Sequence, residues 1–396
     1  MTAVHTSSDR AGDAVAGDAE RRAATWLQAW DACGMHRTGT AGDEAGADWL
    51  AHEAASLGAT VSVETFALDR LDPVAAHVDI GDVRLPGVPV FDAPATGPDG
   101  IAGVLGPAGS TAAIGVAALS PQAVYRGEYR ALRRAATHDA LVIVCQGEQS
   151  GLGLLNAEQF REPYGAPAIQ VSGEHRDAVM AAVERGATAR VVASNTRRPV
   201  HARNIVVALP GSDPSRPPLV VMTPRSSWWQ STAERGGGLV CWLESLRALL
   251  CDAPARGVVL TANSGHELGH LGLDDFVARR AGWDQAGGAI WLHYGANIGA
   301  ARGRLSLLSN DAALREAMAE ALADAGHAPP MMGAPTQVPS GETRDIHRAG
   351  GRYVTLVGTN PLFHMPDDRW PHAVDAPAVA RIAAGCARLV RVLTRR

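Results

Sequence analysis

Residues 264–272 read SGHELGHLG, which contains a literal H-E-x-x-H formed by His266, Glu267 and His270. Two imidazoles and a carboxylate within five residues are a zinc donor set. On one face of an established helix, the histidines would hold the ion and the glutamate would act as base. The flanking residues argue against that helix. GVVLTAN, just upstream, is apolar and β-branched and reads as a strand. Gly265, Gly269 and Gly272 would each cost a helix interior about 1 kcal/mol relative to alanine. The pattern predicts a strand-to-helix turn at His266, with His270 structural, so further metal ligands must come from elsewhere in the chain.

The elements that would position such ligands alternate in type. From RNIVVALPG onward, buried strands (PLVVMTP, RGVVLTAN, AIWLHY, RYVTLVG) alternate with helices (GGGLVCWLESLRALLC, DAALREAMAEALADAG, APAVARIAAGCARLVRVL). Strands alternating with helices imply an α/β fold, a doubly wound and mostly parallel sheet flanked by helices. Chemistry in such sheets gathers at the carboxyl ends of the strands. Residues 1–20 are small, polar and acidic and read as a disordered tail. Residues 21–74 and 200–396 read as one catalytic domain. Residues 75–199, with short β-like runs between Gly and Pro turns, read as a β-rich insert.

Composition narrows the function classes. Of 396 residues, 46% are hydrophobic and 19% charged, with a net charge of −5, ordinary values for a globular chain. No basic block is dense enough for nucleic acid or an anionic membrane surface, and no run is long and apolar enough to span a bilayer. The amino terminus has no apolar signal core. The five scattered cysteines (Cys33, Cys145, Cys241, Cys251, Cys386) fit free thiols in a reducing cytoplasm. The expected partner is a small molecule or short peptide; oligomeric state is not legible.

Several stretches carry a family likeness. RTGTAGDEAGADWLAHEAASLGATVSVETF resembles the opening of the family M28 metallopeptidases, the clan of aminopeptidases and glutaminyl cyclases. ARNIVVALPG is similar to that family's entry into its catalytic sheet. PLVVMTPRSSWWQSTAERGGGLVCWLESLRALL has the layout of its first ligand segments. VVLTANSGHELGHLG lies where the family carries a Glu-Glu pair, and FHMPDDRWPHAVD resembles its closing His-Thr-Pro-x-Asp segment. HDALVIVCQGEQ and YGAPAIQVSG, within 75–199, resemble protease-associated domains, which would shape access to the cleft.

The resemblance implies a site, and this chain departs from it at named positions. Arg225 and Ser227 stand where the family has its first His and Asp. Glu234 takes the bridging aspartate's place, with Arg235 or Arg225 as an alternative partner. His266 replaces the general base of the Glu-Glu pair and Glu267 keeps its ligand. His293 lies near the place of a later aspartate, a second metal or polar position, and His364 retains the last histidine. The implied centre is one divalent ion, of the zinc type, on Glu234, Glu267 and His364. His266 would act as base, and Arg225 would replace the second ion and hold an oxyanion or a substrate carboxylate. Trp228 and Trp229 would wall the substrate pocket, and Arg344 and His347, in GETRDIH, would approach the substrate. The implied activity is hydrolysis of an amide or peptide bond in a small substrate. The alternatives are acyl transfer or cyclisation of the glutaminyl cyclase kind, and a non-catalytic descendant that binds a ligand.

Overall fold

The computed structural model describes residues 7–395, with side chains from residue 17 onward. Two helices, α1 (Ser7–Ala32) and α2 (Ala41–Ser56), lead into β1 (Val61–Ile80), β2 (Val83–Pro89), β3 (Ile101–Pro107) and β4 (Ile114–Leu119). Then come α3 (Gly127–Ala135), β5 (Ala140–Cys145), β6 (Ala168–Val171), α4 (Arg176–Glu184), β7 (Thr188–Leu209) and β8 (Leu219–Pro224). They are followed by α5 (Gly237–Leu249), β9 (Val258–Asn263), α6 (Leu271–Ala278), β10 (Ile290–Tyr294) and β11 (Leu305–Ser309). The chain closes with α7 (Ala312–Asp324), β12 (Met331–Met332), α8 (Thr343–Arg348), β13 (Arg352–Gly358) and α9 (Ala376–Arg395).

The strands form one mixed sheet in the order β1-β2-β6-β5-β4-β3-β7-β9-β8-β10-β13-β11-β12. At its centre β9, β8, β10 and β13 run parallel, while β7 and β11 flank them antiparallel. β8 gives the clearest reason for this placement. All six of its residues are buried; Leu219 and Val221 face one apolar cluster, and Val220 and Met222 face another. A strand covered on both faces must be apolar throughout, because alternate side chains point to opposite layers. On the first face α5 is buried along nearly its whole surface, with Trp30 of α1 and Leu389 of α9 in the same core.

β1 and β7 extend past this core as a long antiparallel ribbon, from Val61 opposite Val207 to Ile80 opposite Ala189. The ribbon's register shifts between Pro73 and Ala75, next to the expected boundary at 75, whereas β7 passes the boundary at 199 unbroken. At its far end lies a separate apolar cluster around Val78, Ile114, Val142, Ile169 and Val191. A fourth cluster, with Phe66, Phe91, Phe160, Trp228 and Leu271, packs the two regions together.

The expectation of a tail over residues 1–20 is corrected in part. α1 starts at Ser7, and residues 1–6 lie outside the described residues. No helix among the described residues is long and apolar enough to cross a membrane.

Candidate active site

The parallel strands β8, β9, β10 and β13 deliver Arg225, His266, His293 and Asn360 at or just beyond their carboxyl ends. After β9 the chain does not form one helix through both histidines. A single 3-10 turn spans His266–Leu268, and α6 begins only at Leu271. Gly265 and Gly269 take left-handed φ of 82° and 81°. At Gly269 a Cβ would meet the Glu158 carbonyl oxygen at 2.8 Å. His270 is itself left-handed, at φ 65°, an unfavourable conformation for a residue with a Cβ.

That turn nonetheless brings the two histidines together. Their ring centroids lie 5.1 Å apart. Glu342, at the start of α8, reaches between them, and its Oε1 accepts from His266 Nδ1 at 2.8 Å. His293 Nε2 lies 3.4 Å from the other oxygen, Oε2. His266, His270 and Glu342 offer ligand atoms within 4.8 Å of one another. His270 is thus part of the candidate centre, against the expectation that it is structural.

Protonation follows from the partners. Asp345 Oδ2 lies 2.5 Å from His270 Nδ1, and an ionised carboxylate can only accept, so Nδ1 carries the proton. Burial opposes ionisation of Asp345, but the His270 bond, its charge and Arg344 outweigh it and lower the pKa. In the neutral ring, His270 Nε2 is left with a lone pair. His270 Nε2 and Glu342 Oε2 are buried with no hydrogen-bond partner. Burial would lower His270, yet Glu342 and Asp345 raise it above its ordinary value, so the site favours positive charge there. His266 differs. Burial and the Arg235 charge hold it down to about 3, so the ring is neutral near pH 7.

Of the ligand set expected on Glu234, Glu267 and His364, the structure brings Glu234 and His364 together, whereas Glu267 is turned to other partners. Glu267 Oε1 accepts from the Thr38 amide at 2.7 Å and its Oε2 accepts from Ser226 Oγ at 2.7 Å. Both oxygens are thus occupied by donors of the chain itself. Glu234 sits in a buried π-turn with Oε1 2.6 Å from Arg235 Nη2 and 3.3 Å from His364 Nε2. Burial would raise Glu234, but Arg235 and His364 bring it down to about 2. His364 is left-handed at φ 62°, and its Nδ1 donates to the Leu154 carbonyl at 2.6 Å. Asp368 fixes the turn by accepting from the amides of Ala233 (2.7 Å) and Glu234 (3.0 Å). Among the described residues, His266, His270 and Glu342 form the one such three-ligand group.

Arg225 also requires correction. It is fully buried, and Nη1 donates to the carbonyl and the Oδ1 of Asp43, both at 2.7 Å, while Nη2 donates to the Arg203 carbonyl at 2.5 Å. Asp43 is held in turn by the Gly39 amide and by Ser264 Oγ. The pair is sealed under the sheet end, out of reach of a substrate, and the guanidinium that abuts the bridging position is Arg235.

The remaining expected residues divide. His293 lines a cavity of about 280 Å³ together with His266, Glu342, Tyr125, Asn360 and Phe363. Trp228 is buried instead, packed 4.6 Å from Phe91 with its indole donating to Asn156. Trp229 donates to the His364 carbonyl. Neither tryptophan lines that cavity. Arg344 pairs with Glu158 at 2.7 Å, and His347 Nδ1 lies 3.1 Å from the Tyr353 hydroxyl. Sequence reasoning missed Glu342 altogether. In GETRDIH, Arg344 and His347 stand out as substrate groups, but no local spacing ties Glu342 to a histidine 76 positions upstream.

No protein-family model matches the sequence, and no curated protein matches it. Solved structures do match. A zinc aminopeptidase from Bacillus subtilis, BSAP, superposes with a TM-score of 0.76 at 17% identity over 95% of each chain. A peptidase M28 precursor from Shewanella amazonensis gives 0.74 at 16% over 96% of each. An aminopeptidase from Aneurinibacillus sp. strain AM-1 gives 0.71 at 14%, covering 96% of this chain and 94% of the other. The likeness is one of fold: the mostly parallel mixed sheet flanked by helices is M28-like.

Proposed function

We propose that this chain is a metal-dependent hydrolase of an amide or peptide bond in a small substrate, with one divalent ion, of the zinc type, on His266, His270 and Glu342. The observation that carries the reading is the pair of buried ligand atoms without partners, His270 Nε2 and Glu342 Oε2, converging with His266 beside a cavity at the strand ends. Buried polar atoms in a folded chain are nearly always satisfied, so a cluster of orphans calls for a missing partner. Two imidazoles and a carboxylate are a catalytic zinc's donor set, leaving a fourth position open. Asp345 supports the assignment, because a carboxylate on the far nitrogen of a ligating histidine orients the ring and raises its basicity.

When bound, the ion would polarise the scissile carbonyl and acidify a water. The chain's residues supply the rest. His266, held near 3 and serving as a ligand, is a poor proton acceptor at neutral pH. His293 takes the base role instead: its Nδ1 is anchored by the Thr355 hydroxyl at 2.8 Å, and its Nε2 is buried without a hydrogen-bond partner at the cavity wall. Asn360 and Tyr125 line the same space and orient the substrate. A cavity of about 280 Å³ suits a small amide or a terminal residue. Residues 75–199 act as an access-shaping, protease-associated-like insert, which contributes Gln122, Tyr125 and Glu148 to the wall. Five free cysteines accord with a cytoplasmic setting.

A second reading, a non-catalytic ligand-binding protein of this fold, draws on the occupied oxygens of Glu267 and the sealed Arg225. Metal analysis separates the two. Purified protein offered zinc, cobalt or manganese should hold about one equivalent, lost in His270→Ala and Glu342→Gln, and should hydrolyse members of an amide panel. A wild-type chain that retains no metal would rule out the hydrolase.

A further inference from the structure

Past Tyr125 and Ser340, which line both spaces, the cavity adjoins a second hollow of about 420 Å³. Arg126, Arg130, Arg344 and Arg348 wall it, and none of its lining residues is acidic. This concentration stands against a chain of net charge −5. Arg344 and Arg348 are an i,i+4 pair on one face of α8, while Arg126 is the extended residue that precedes α3 and Arg130 lies in its second turn. Neighbouring acids neutralise only part of the charge. Glu158 takes Arg344 at 2.7 Å. Asp345 stands 3.6 Å from Arg344 and 3.7 Å from Arg348 while holding His270. Neither Arg126 nor Arg130 has an ion pair among the described residues, and the start of α3 carries no side-chain cap, so its free amides add positive potential. Arg344 Nε is buried without a hydrogen-bond partner. Glu128, in the first turn of α3, lines a different hollow.

Four guanidinium groups around one space repel one another, Glu158 and Asp345 relieve that only in part, and the planar forks match carboxylate and phosphate oxygens two at a time. We infer that this hollow is an anion subsite, one that receives a carboxylate or phosphoryl group of the substrate whose bond is cut in the adjoining cavity. The inference rests on the proposed hydrolase for its role, though not for the binding itself. Because Tyr125 and Ser340 line both spaces, the anionic group belongs to the part of the substrate next to the scissile bond, as in a short acidic peptide or an acylated amino dicarboxylate.

The test is binding by the full-length, chelator-treated protein, so that failure of the metal site leaves it intact. Calorimetric titrations use inorganic phosphate and glutarate as probes. The wild type should bind at least one of them, weakening as salt rises. The Arg126→Ala/Arg130→Ala double variant, altered at exposed positions, should bind at least about tenfold more weakly with an unchanged thermal midpoint. Preference for glutarate assigns the subsite to carboxylates, and preference for phosphate assigns it to phosphoryl groups. Failure of the wild type to bind either probe, or binding by the variant at wild-type strength, overturns the proposal. Cobalt binding by the same variant, expected to be unchanged, tests the metal centre separately.

Discussion

Neighbouring strands β8 and β9 end in ionisable residues held under opposite conditions. After β8, Arg225 is sealed: its terminal nitrogens donate to Asp43 and to the Arg203 carbonyl, and Asp43 is saturated by Gly39 and Ser264. After β9, His266 opens onto a cavity, with ligand atoms nearby that have no partner. Both regions are buried and both look like chemistry when written as letters. What separates them is where unused hydrogen-bonding capacity lies: Arg225 keeps only a buried Nε without a partner, whereas His270 Nε2 and Glu342 Oε2 converge beside a cavity. A charge bound at its ends by its own chain acts as structure, whereas converging free ligand atoms can hold something else.

That contrast can be broken at three points. The largest effect is expected at the sealed pair: Arg225→Ala should cost about 3–5 kcal/mol in urea unfolding, because it strands the buried Asp43 carboxylate. Replacing both partners, Arg225→Met with Asp43→Leu, should cost far less. An Arg225→Ala variant that unfolds like wild type but loses substrate binding would make Arg225 a substrate group rather than a structural one. An intermediate effect is expected behind the open site. Asp345→Asn should weaken cobalt or zinc binding about 10- to 100-fold, as loss of a carboxylate behind a ligating imidazole does, with the cobalt absorption spectrum as readout. The smallest effect is a null one. Glu267→Gln should leave the metal stoichiometry unchanged, because its oxygens bond to Thr38 and Ser226; loss of the ion would restore Glu267 to the ligand set.

Much of the fold could be read from the sequence. The β8 and β9 runs open with unbroken apolar stretches, residues 219–222 and 258–260, which indicate a doubly covered parallel sheet, and GVVLTAN with three nearby glycines indicates the break at His266. The long β1–β7 ribbon was less legible, because its polar middle alternates no differently from a loop-flanked hairpin, and only pairing across the chain makes it one element. For the site, position alone misled. Arg225 falls where a ligand is expected, yet its direction is set by Asp43, 182 residues earlier. Arg235, adjacent to Glu234, was foreseeable as its partner, whereas Glu342 was not, because a ligand recruited from α8 leaves no spacing signal near the histidines it meets.

The ribbon also bears on how substrate arrives. Two strands paired from one core to the next, with a single register shift between Pro73 and Ala75, make a continuous ribbon, and the apolar packing of Phe66, Phe91 and Trp228 braces its flank. The wall that carries Tyr125 is thereby joined to the central sheet by two paired strands rather than by a single-stranded linker. In the proposed hydrolase, size discrimination would then belong to that braced architecture.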